Sequence, residues 1–424
     1  MREVIIAGGG AGGADLAARL ADQGDLRVTL VDRHPTHLWK PLYHQVAAGT
    51  LDSFQDELPY NALARRHGFR FTLGAVTGLD AAQRHLQVAA VNDHRGREVL
   101  PARRLEYDYL VLALGSALED FGTPGVAEHA MTLESREDAE DLHNSLLATL
   151  GRTAYGAGTP ARITIVGGGA TGVELAAEIC HAAEVARAYG LDLPGQGVEI
   201  SLIERAPRLL PPLPDHIAEN AARVLDRLGV RLLFGVGVAE VDATQVRLDD
   251  GRELRSDLTV WAAGVRGPAV ARTFTDLDIC ERDRIRVDGH LRARGQDRIF
   301  AIGDCAHNEG GKDGAVVPPR AQAARQQAEY LATALPTLIG GRPQEPFQYE
   351  DMGSLVSLAR YDALGRIIGP ATGMSLSLSG LAAKAAYRML YRAHQRALLG
   401  LPRTLAMMLS DWLRRTGSAK VKLH

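Results

Sequence analysis

The feature that most limits how this chain can fold is a pattern that occurs twice. The first copy is EVIIAGGGAGGADLAARLAD followed by LRVTLVDR. The second, about 160 residues later, is RITIVGGGATGVELAAEICHAAEVARA followed by VEISLIER. Each reads as a short β-branched strand, a glycine turn, an amphipathic helix and a second strand ending in an acid, which is the β-α-β plan. The interval is too long for a solenoid repeat and suits duplicated domains. In the first copy Gly8, Gly10 and Gly13 satisfy G-x-G-x-x-G directly after the strand. The first glycine permits a tight turn, the second lets the backbone approach a pyrophosphate, and the third lets the helix pack closely. The helix N-terminus then offers unpaired N–H groups to phosphates. Asp32, 19 residues beyond Gly13, ends the next strand, where a carboxylate can accept hydrogen bonds from an adenosine ribose. The second copy has Gly167, Gly169 and Gly172, with Glu204 following 32 residues later because AYGLDLPGQG lengthens the helix and loop. Glu204 favours NADH over NADPH, since its charge repels a 2′-phosphate, and Arg205 beside it softens that preference.

Two dinucleotide sites in one chain imply electron transfer between dinucleotides, and FAD in one with NADH in the other is the economical pairing. Position favours FAD at the N-terminal site. The strand LEYDYLVLALGS running into Gly115, and Gly303 and Asp304 in AIGD, would complete that site. Asp304 reads either as a ligand to a ribityl hydroxyl or as a helix cap or turn residue. In the second unit GRELRSDLTVWAAGV reads as a hairpin and a strand ending at Gly264, a further cofactor contact. Helices are expected from about Glu134 to Leu150 and over 318–335, the latter with a proline start. The expected fold class is α/β, with two Rossmann-like dinucleotide-binding domains and a C-terminal module. Residues 1–120 and 270–343 form a discontinuous FAD domain, 150–269 an NAD(H) domain, and 344–424 short strands followed by basic amphipathic helices.

Composition narrows the function. With 46% hydrophobic and 23% charged residues the chain is ordinary globular protein, and a net charge of −3 argues against nucleic acid as a partner. No stretch approaches 18 continuous apolar residues, so no transmembrane helix is expected, and no leader is visible before the first strand. The three cysteines, Cys180, Cys280 and Cys305, form no C-x-x-C pair, and the histidines, including His44, lack metal-ligand spacing. Cys180 reads as a packing residue and no metal is expected. The electron acceptor is then diffusible rather than a disulfide or a bound metal.

On these motifs the chain resembles the type II NADH dehydrogenases, membrane-surface flavoproteins that reduce quinone without pumping protons. The resemblance covers essentially the whole length. It rests on GGGAGG, HLWKPLYHQVAAGTLD, GGGATGVELAAE, VWAAGV, FAIGD, PPRAQAARQQ, GSLVSLARYDA and the ending KLH, and points to the proteobacterial branch. The resemblance implies that Gln322 and Gln326, in the A-Q-x-A-x-Q stretch, face the flavin and quinone pocket. By residue chemistry alone both could be solvated helix residues. It also implies that Glu174 lies near the nicotinamide–flavin contact, where otherwise it could simply charge a first helix turn. Asp32 stands where many members have Glu, and the C-terminal helix is less aromatic than in members with tryptophan-rich anchors.

The last 41 residues carry nine Lys or Arg against Asp411 alone, a local charge of +8 on a body of −11. Lys384, Arg388, Arg392 and Arg396 recur every four residues, and Leu405, Met408, Leu409, Trp412 and Leu413 follow. This suits a helix lying in an anionic membrane interface, with Trp412 at headgroup depth, and equally a helix packed on its own protein or on a homodimer partner. The family resemblance favours the membrane, on the cytoplasmic face of the bacterial inner membrane as a peripheral protein. The expected activity is NADH:quinone oxidoreduction through FAD. A soluble NAD(P)H-dependent ferredoxin or rubredoxin reductase, and an NAD(H)-binding redox sensor, are the alternatives. Sulfide:quinone reduction would want a reactive cysteine pair.

Overall fold

The computed structural model describes residues 1–157, 159–195, 197–369 and 374–414, with side chains for all of these except Gln55, Ala157 and 412–414. The side chain of Trp412, and Arg415, Lys420, Lys422 and the ending KLH, therefore lie outside the described set.

Along the chain run β1 (Arg2–Ala7), α1 (Ala11–Ala21), β2 (Leu26–Asp32), α2 (Tyr43–Ala48), β3 (Arg70–Leu73) and β4 (Tyr109–Leu112). Next come α3 (Arg136–Arg152), β5 (Ala161–Val166), α4 (Ala170–Ala188), β6 (Val198–Glu204), β7 (Arg231–Phe234), β8 (Leu258–Trp261) and β9 (Ile299–Ala301). The last elements are α5 (Ala321–Ile339), the strands β10 (Gly353–Leu358), β11 (Asp362–Ile368) and β12 (Ser375–Ser379), and α6 (Gly380–Arg414). Two parallel sheets organise these pieces. The first has the order β9-β4-β1-β2-β3, and the second places residues 130–131, β8, β5, β6 and β7 side by side. Continuous apolar runs such as VIIA in β1 and ITIV in β5 are what a strand covered on both faces requires, and their side chains are buried. Each half also carries a three-stranded antiparallel sheet, within 76–106 in the first and 238–255 in the second. The duplication read from the glycines thus extends to both sheets of each half, and β9 shows that chain beyond 270 returns to finish the first sheet.

Several boundaries differ from the expected ones. The bridging helix begins at Arg136 because Ser135 caps it, its hydroxyl accepting from Asp138 N. The helix expected from 318 starts at Ala321 and continues through Pro336 to Ile339. Pro318 and Pro319 stand outside it, since the residue before a proline disfavours helical backbone. The expected hairpin is formed by residues 245–248 with 253–255, and the strand after it ends at Trp261, so Gly264 lies in the following turn.

The C-terminal segment is shared between the two halves. Val356, Leu358 and Leu364 pack into the core of the second sheet, whereas Leu398 and Leu399 join the core of the first. α6 is interrupted at Gly400, whose φ of 73° no ordinary helical residue adopts, two residues before Pro402. No described helix is long and apolar enough to cross a membrane.

Candidate functional site

The two glycine loops are built alike. After β1, Gly8 takes φ 104°, and a Cβ there would lie 2.2 Å from Ala113 O. A Cβ on Gly13 would lie 1.8 Å from Gly8 O, so the helix can approach the strand only without a side chain. Gly10 differs: nothing stands within 4 Å of its missing Cβ, and this open side is where a pyrophosphate has room. After β5 the pattern recurs. Gly167 takes φ 113°, a Cβ on Gly172 would meet Gly167 O at 2.0 Å, and Gly169 is open. The strand-end acids also match. Asp32 accepts from Gly9 N (2.6 Å) and His34 N (2.8 Å), and Glu204 accepts from Gly168 N and Ala206 N (both 2.7 Å). Each carboxylate braces its own loop and keeps lone pairs for a ribose. Arg205 is exposed beside Glu204.

The strand ends bring the halves together. Gly115 and Gly264 both take φ 72°, and just beyond them residues 117–118 pair antiparallel with 265–266 across the two halves. Gly303 takes φ 71°, and its N–H donates to Gln327 Oε1 at 2.6 Å. Asp304 Oδ2 lies 3.1 Å from Ser116 Oγ, and Oδ1 has no hydrogen bond among the described residues. Asp304 lies in the short 3-10 turn Gly303–Cys305, and its carboxylate takes no backbone N–H among the described residues. It presents a carboxylate oxygen beside the ends of β4 and β9.

Glu174 sits in the first turns of α4, but it is not a solvated helix-start charge. It is buried, accepts from Ser357 N at 2.8 Å, and lies 3.5 Å from His44 Nδ1. Glu178, one turn on, is also buried and accepts from Thr50 Oγ1 at 2.8 Å. The Tyr387 phenol approaches Glu174 from α6 without closing a well-formed hydrogen bond. Burial pushes Glu174 up to about 8 and Glu178 to about 7, and pushes His44 down to about 3. Burial between α2, α4, β10 and α6 therefore favours the protonated form of both carboxyl groups. Cys180 and Cys305 are buried, with thiols raised to about 12 and about 11, so neither is a thiolate at neutral pH.

Gln322 and Gln326 lie on the edge of α5 and lash the following chain to it. Gln322 Nε2 donates to Tyr349 Oη (2.7 Å), while Gln326 exchanges hydrogen bonds with the backbone of Glu350 (2.8 and 3.0 Å). The glutamine that reaches the strand ends is the buried Gln327, which sequence reasoning passed over because three glutamines stand within six residues. Beside that lashing a cleft of about 1050 Å³ opens, lined among others by Arg294, Lys312, Arg320, Tyr349 and Asp351.

Sequence reasoning also missed the residues beneath the first glycine loop. Gly9 O accepts from Tyr60 Oη (2.7 Å) and from His37 Nδ1 (2.9 Å). A carbonyl cannot donate, so the His37 proton is on Nδ1. Its Nε2 must then accept, across 2.8 Å, from Nε2–H of His394 in α6. Burial lowers both histidines and keeps them neutral. Trp39 stacks on His394 and Tyr391, closing the packing. The only signal for this was HLWKPLYH as a motif. No described group of three His, Cys, Asp or Glu side chains could hold a metal ion.

This doubled, glycine-cradled fold defines a class. Residues 2–328 match the pyridine nucleotide-disulphide oxidoreductase family. More narrowly, the chain is 38% identical to the type II NADH:quinone oxidoreductase of Haemophilus influenzae over the full length of both proteins. It is 30% identical to type II NADH:quinone oxidoreductase Ndh of Mycobacterium tuberculosis, over 96% of this chain and 86% of that one. The chain belongs to the type II NADH:quinone oxidoreductase family. The same fold is seen in the solved structure of NDH2 from Plasmodium falciparum in complex with NADH. The TM-score is 0.84 at 19% identity, covering 100% of this chain and 99% of that one. The sulfide:quinone oxidoreductase of Aquifex aeolicus shares it at TM-score 0.72 and 18% identity, over 98% and 96% of the two chains.

Proposed function

We propose that this protein is an NADH:quinone oxidoreductase that passes a hydride from NADH to FAD and two electrons onward to quinone, without pumping protons. The observation that carries this reading is the pair of like-built, open glycine cradles joined at their strand ends. FAD fits the first cradle, where Gly10 is open and Oδ1 of Asp304 has no partner among the described residues. Gly8, Gly10, Gly13, Asp32, Gly115, Gly303 and Asp304 would hold it, within 1–120 and 270–343. NADH would lie on Gly167, Gly169, Gly172, Glu204 and Gly264, within 150–269. When bound, the flavin accepts the hydride and releases electrons to the acceptor.

The protein's own part is mostly placement, which can supply a large share of a rate by itself. Glu174 is the residue we assign to proton delivery. Burial raises it to about 8, Ser357 and Tyr387 shield it, and it lies one helical turn from a second raised carboxyl, Glu178, at about 7. Quinol formation consumes protons, and such a pair can hold them ready. Gln322 and Gln326 are assigned to the wall of the quinone side, where they keep Tyr349–Asp351 against α5.

Leu381, Met389, Leu390, Leu401, Leu405 and Leu409 are exposed along α6, as are Arg388, Arg396 and Arg403. An apolar face with basic residues beside it supports peripheral seating of residues 344–424 on an anionic membrane surface, where quinone resides. The face would be the cytoplasmic one of a bacterial inner membrane, on the side where NADH is available. The HLWKPLYHQVAAG and PPRAQAARQQ motifs support the proteobacterial branch.

The test is oxidation of NADH and, separately, NADPH by purified FAD-loaded protein in detergent with a ubiquinone analogue. Rapid NADH turnover with little NADPH turnover is expected. Flavin bleaching by NADH without quinone turnover would instead point to a ferredoxin-type acceptor.

A further inference from the structure

One charged network at the junction of the two halves belongs to neither glycine loop. Lys40 Nζ donates to Glu134 Oε2 at 2.5 Å and to Ser116 Oγ at 2.9 Å. Ser116 Oγ lies 3.1 Å from both Glu134 Oε2 and Asp304 Oδ2. Glu134 already takes the ammonium, so the single hydroxyl proton of Ser116 is best used on Asp304. The chain then runs Glu134, Lys40, Ser116, Asp304, through four separate segments of the fold. Lys40 follows the buried Trp39 and precedes Pro41, which together hold its backbone. Glu134 is set just before the Ser135 cap of α3, its own N–H donating to Asp138 Oδ2 at 2.9 Å. Ser116 lies between Gly115 and the pairing that joins the halves. Both charged side chains are partly shielded, Lys40 at 40% and Glu134 at 20% exposure, so neither is fully screened by water.

We infer that Lys40 and Glu134 are an opposed pair of positioning residues that set the charge at the flavin site, Lys40 making reduction easier and Glu134 restraining it. This rests on the reading of Asp304 and the first cradle as the FAD site. Reduction adds negative charge to a bound flavin, and charges near its ring are a main means by which a protein tunes it. Lys40 is two hydrogen bonds from Asp304, and no other lysine or arginine shares a hydrogen bond with Ser116 or Glu134 among the described residues. The arrangement also ties Asp304, at the end of β9, to the entrance of the helix that leads into the second half. Correct placement of the carboxylate therefore depends on the two halves being docked.

The experiment is the midpoint potential of the protein-bound flavin in the wild type and in Lys40→Met, Glu134→Gln, Lys40→Arg and the Met/Gln double variant, all as FAD-loaded full-length protein. Lys40→Met is expected to shift the reduced-to-oxidised equilibrium about tenfold toward oxidised flavin, about 30 mV downward for a two-electron couple. Glu134→Gln is expected to shift it upward by a similar factor. Lys40→Arg should restore the wild-type value, and the double variant should fall between the singles. Opposite signs are what a merely structural role would not produce. Shifts of the same sign in the two single variants, or none beyond threefold in either, overturn the inference. If Lys40→Met does not retain flavin, Glu134→Gln alone decides, and a potential that does not rise overturns it. A wild-type protein that binds no FAD would instead overturn the flavin reading on which this rests.

Discussion

Whether a glycine matters for shape or for ligand is settled by what its missing side chain would touch. Gly13 and Gly10 separate the two cases. A methyl on Gly13 would drive into Gly8 O, whereas Gly10 has φ −62° and open space, a position any residue can take. Gly13→Ala is expected to destabilise by about 1–3 kcal/mol through overpacking, read from thermal melts. Gly10→Ala should leave the melt of the apoprotein unchanged and yet abolish FAD retention, because its methyl would occupy the phosphate position. Glu174 carries a pH prediction. Its carboxyl is near 4.5 when unfolded and is raised to about 8 in the fold, with Glu178 raised to about 7. Between those limits the folded state binds more protons than the unfolded one, so these groups contribute stability at acid pH that is lost as pH rises toward 8. Glu174→Gln should flatten that decline in stability-versus-pH measurements. If Glu174 delivers protons it should also slow quinone turnover by about a hundredfold or more, while NADH still bleaches the flavin.

At the scale of elements, α6 is buried in part and exposed in part, on either side of its break at Gly400. His394, Gln395, Leu398 and Leu399 are buried against the first half, while Leu405 and Leu409 face outward. Packing on the protein, one of the two expectations for this helix, is seen for its buried residues, and the exposed ones leave a surface on which the membrane assignment can be tested. His394→Ala would leave His37 Nε2 buried without a donor, a loss of about 1–3 kcal/mol. Faster hydrogen exchange over 380–399 and weaker FAD retention are expected together, since His37 also holds Gly9. Leu405→Glu with Leu409→Glu should abolish sedimentation with anionic vesicles and spare NADH-dependent flavin bleaching in detergent. Equal sedimentation of variant and wild type would remove the membrane assignment from this face.

For the whole molecule, the two halves meet at the short pairing of 117–118 with 265–266, at the network through Ser116, and through a C-terminal segment packed on both cores. Cofactor binding should therefore stabilise more than one half. FAD at 100 times its dissociation constant is expected to add about 2.7 kcal/mol of stability by mass action. If the halves are coupled, the melting of both should rise together, which calorimetry would show as one transition moving upward.

Much of this architecture is legible in the sequence. Strand–glycine–helix–strand–acid is a local pattern, encoded by β-branched runs, by glycines at fixed offsets and by an acid at the strand end, so both cradles and their sheets were legible. Local pattern could not say which of Gln322, Gln326 and Gln327 would meet the strand ends, because that depends on how α5 is rolled against α1 and β9. Nor could it reveal that Glu174, an apparent first-turn charge, is covered by β10 and α6 from almost two hundred residues away. His37 with His394, Lys40 with Glu134, and Ser116 with Asp304 are likewise partners that only chain reversal brings within hydrogen-bonding distance. The sequence by itself determined the repeated unit, since its period and glycine spacing are short-range. Only the tertiary structure decided which polar groups are taken out of water and paired, since burial belongs to the packed whole.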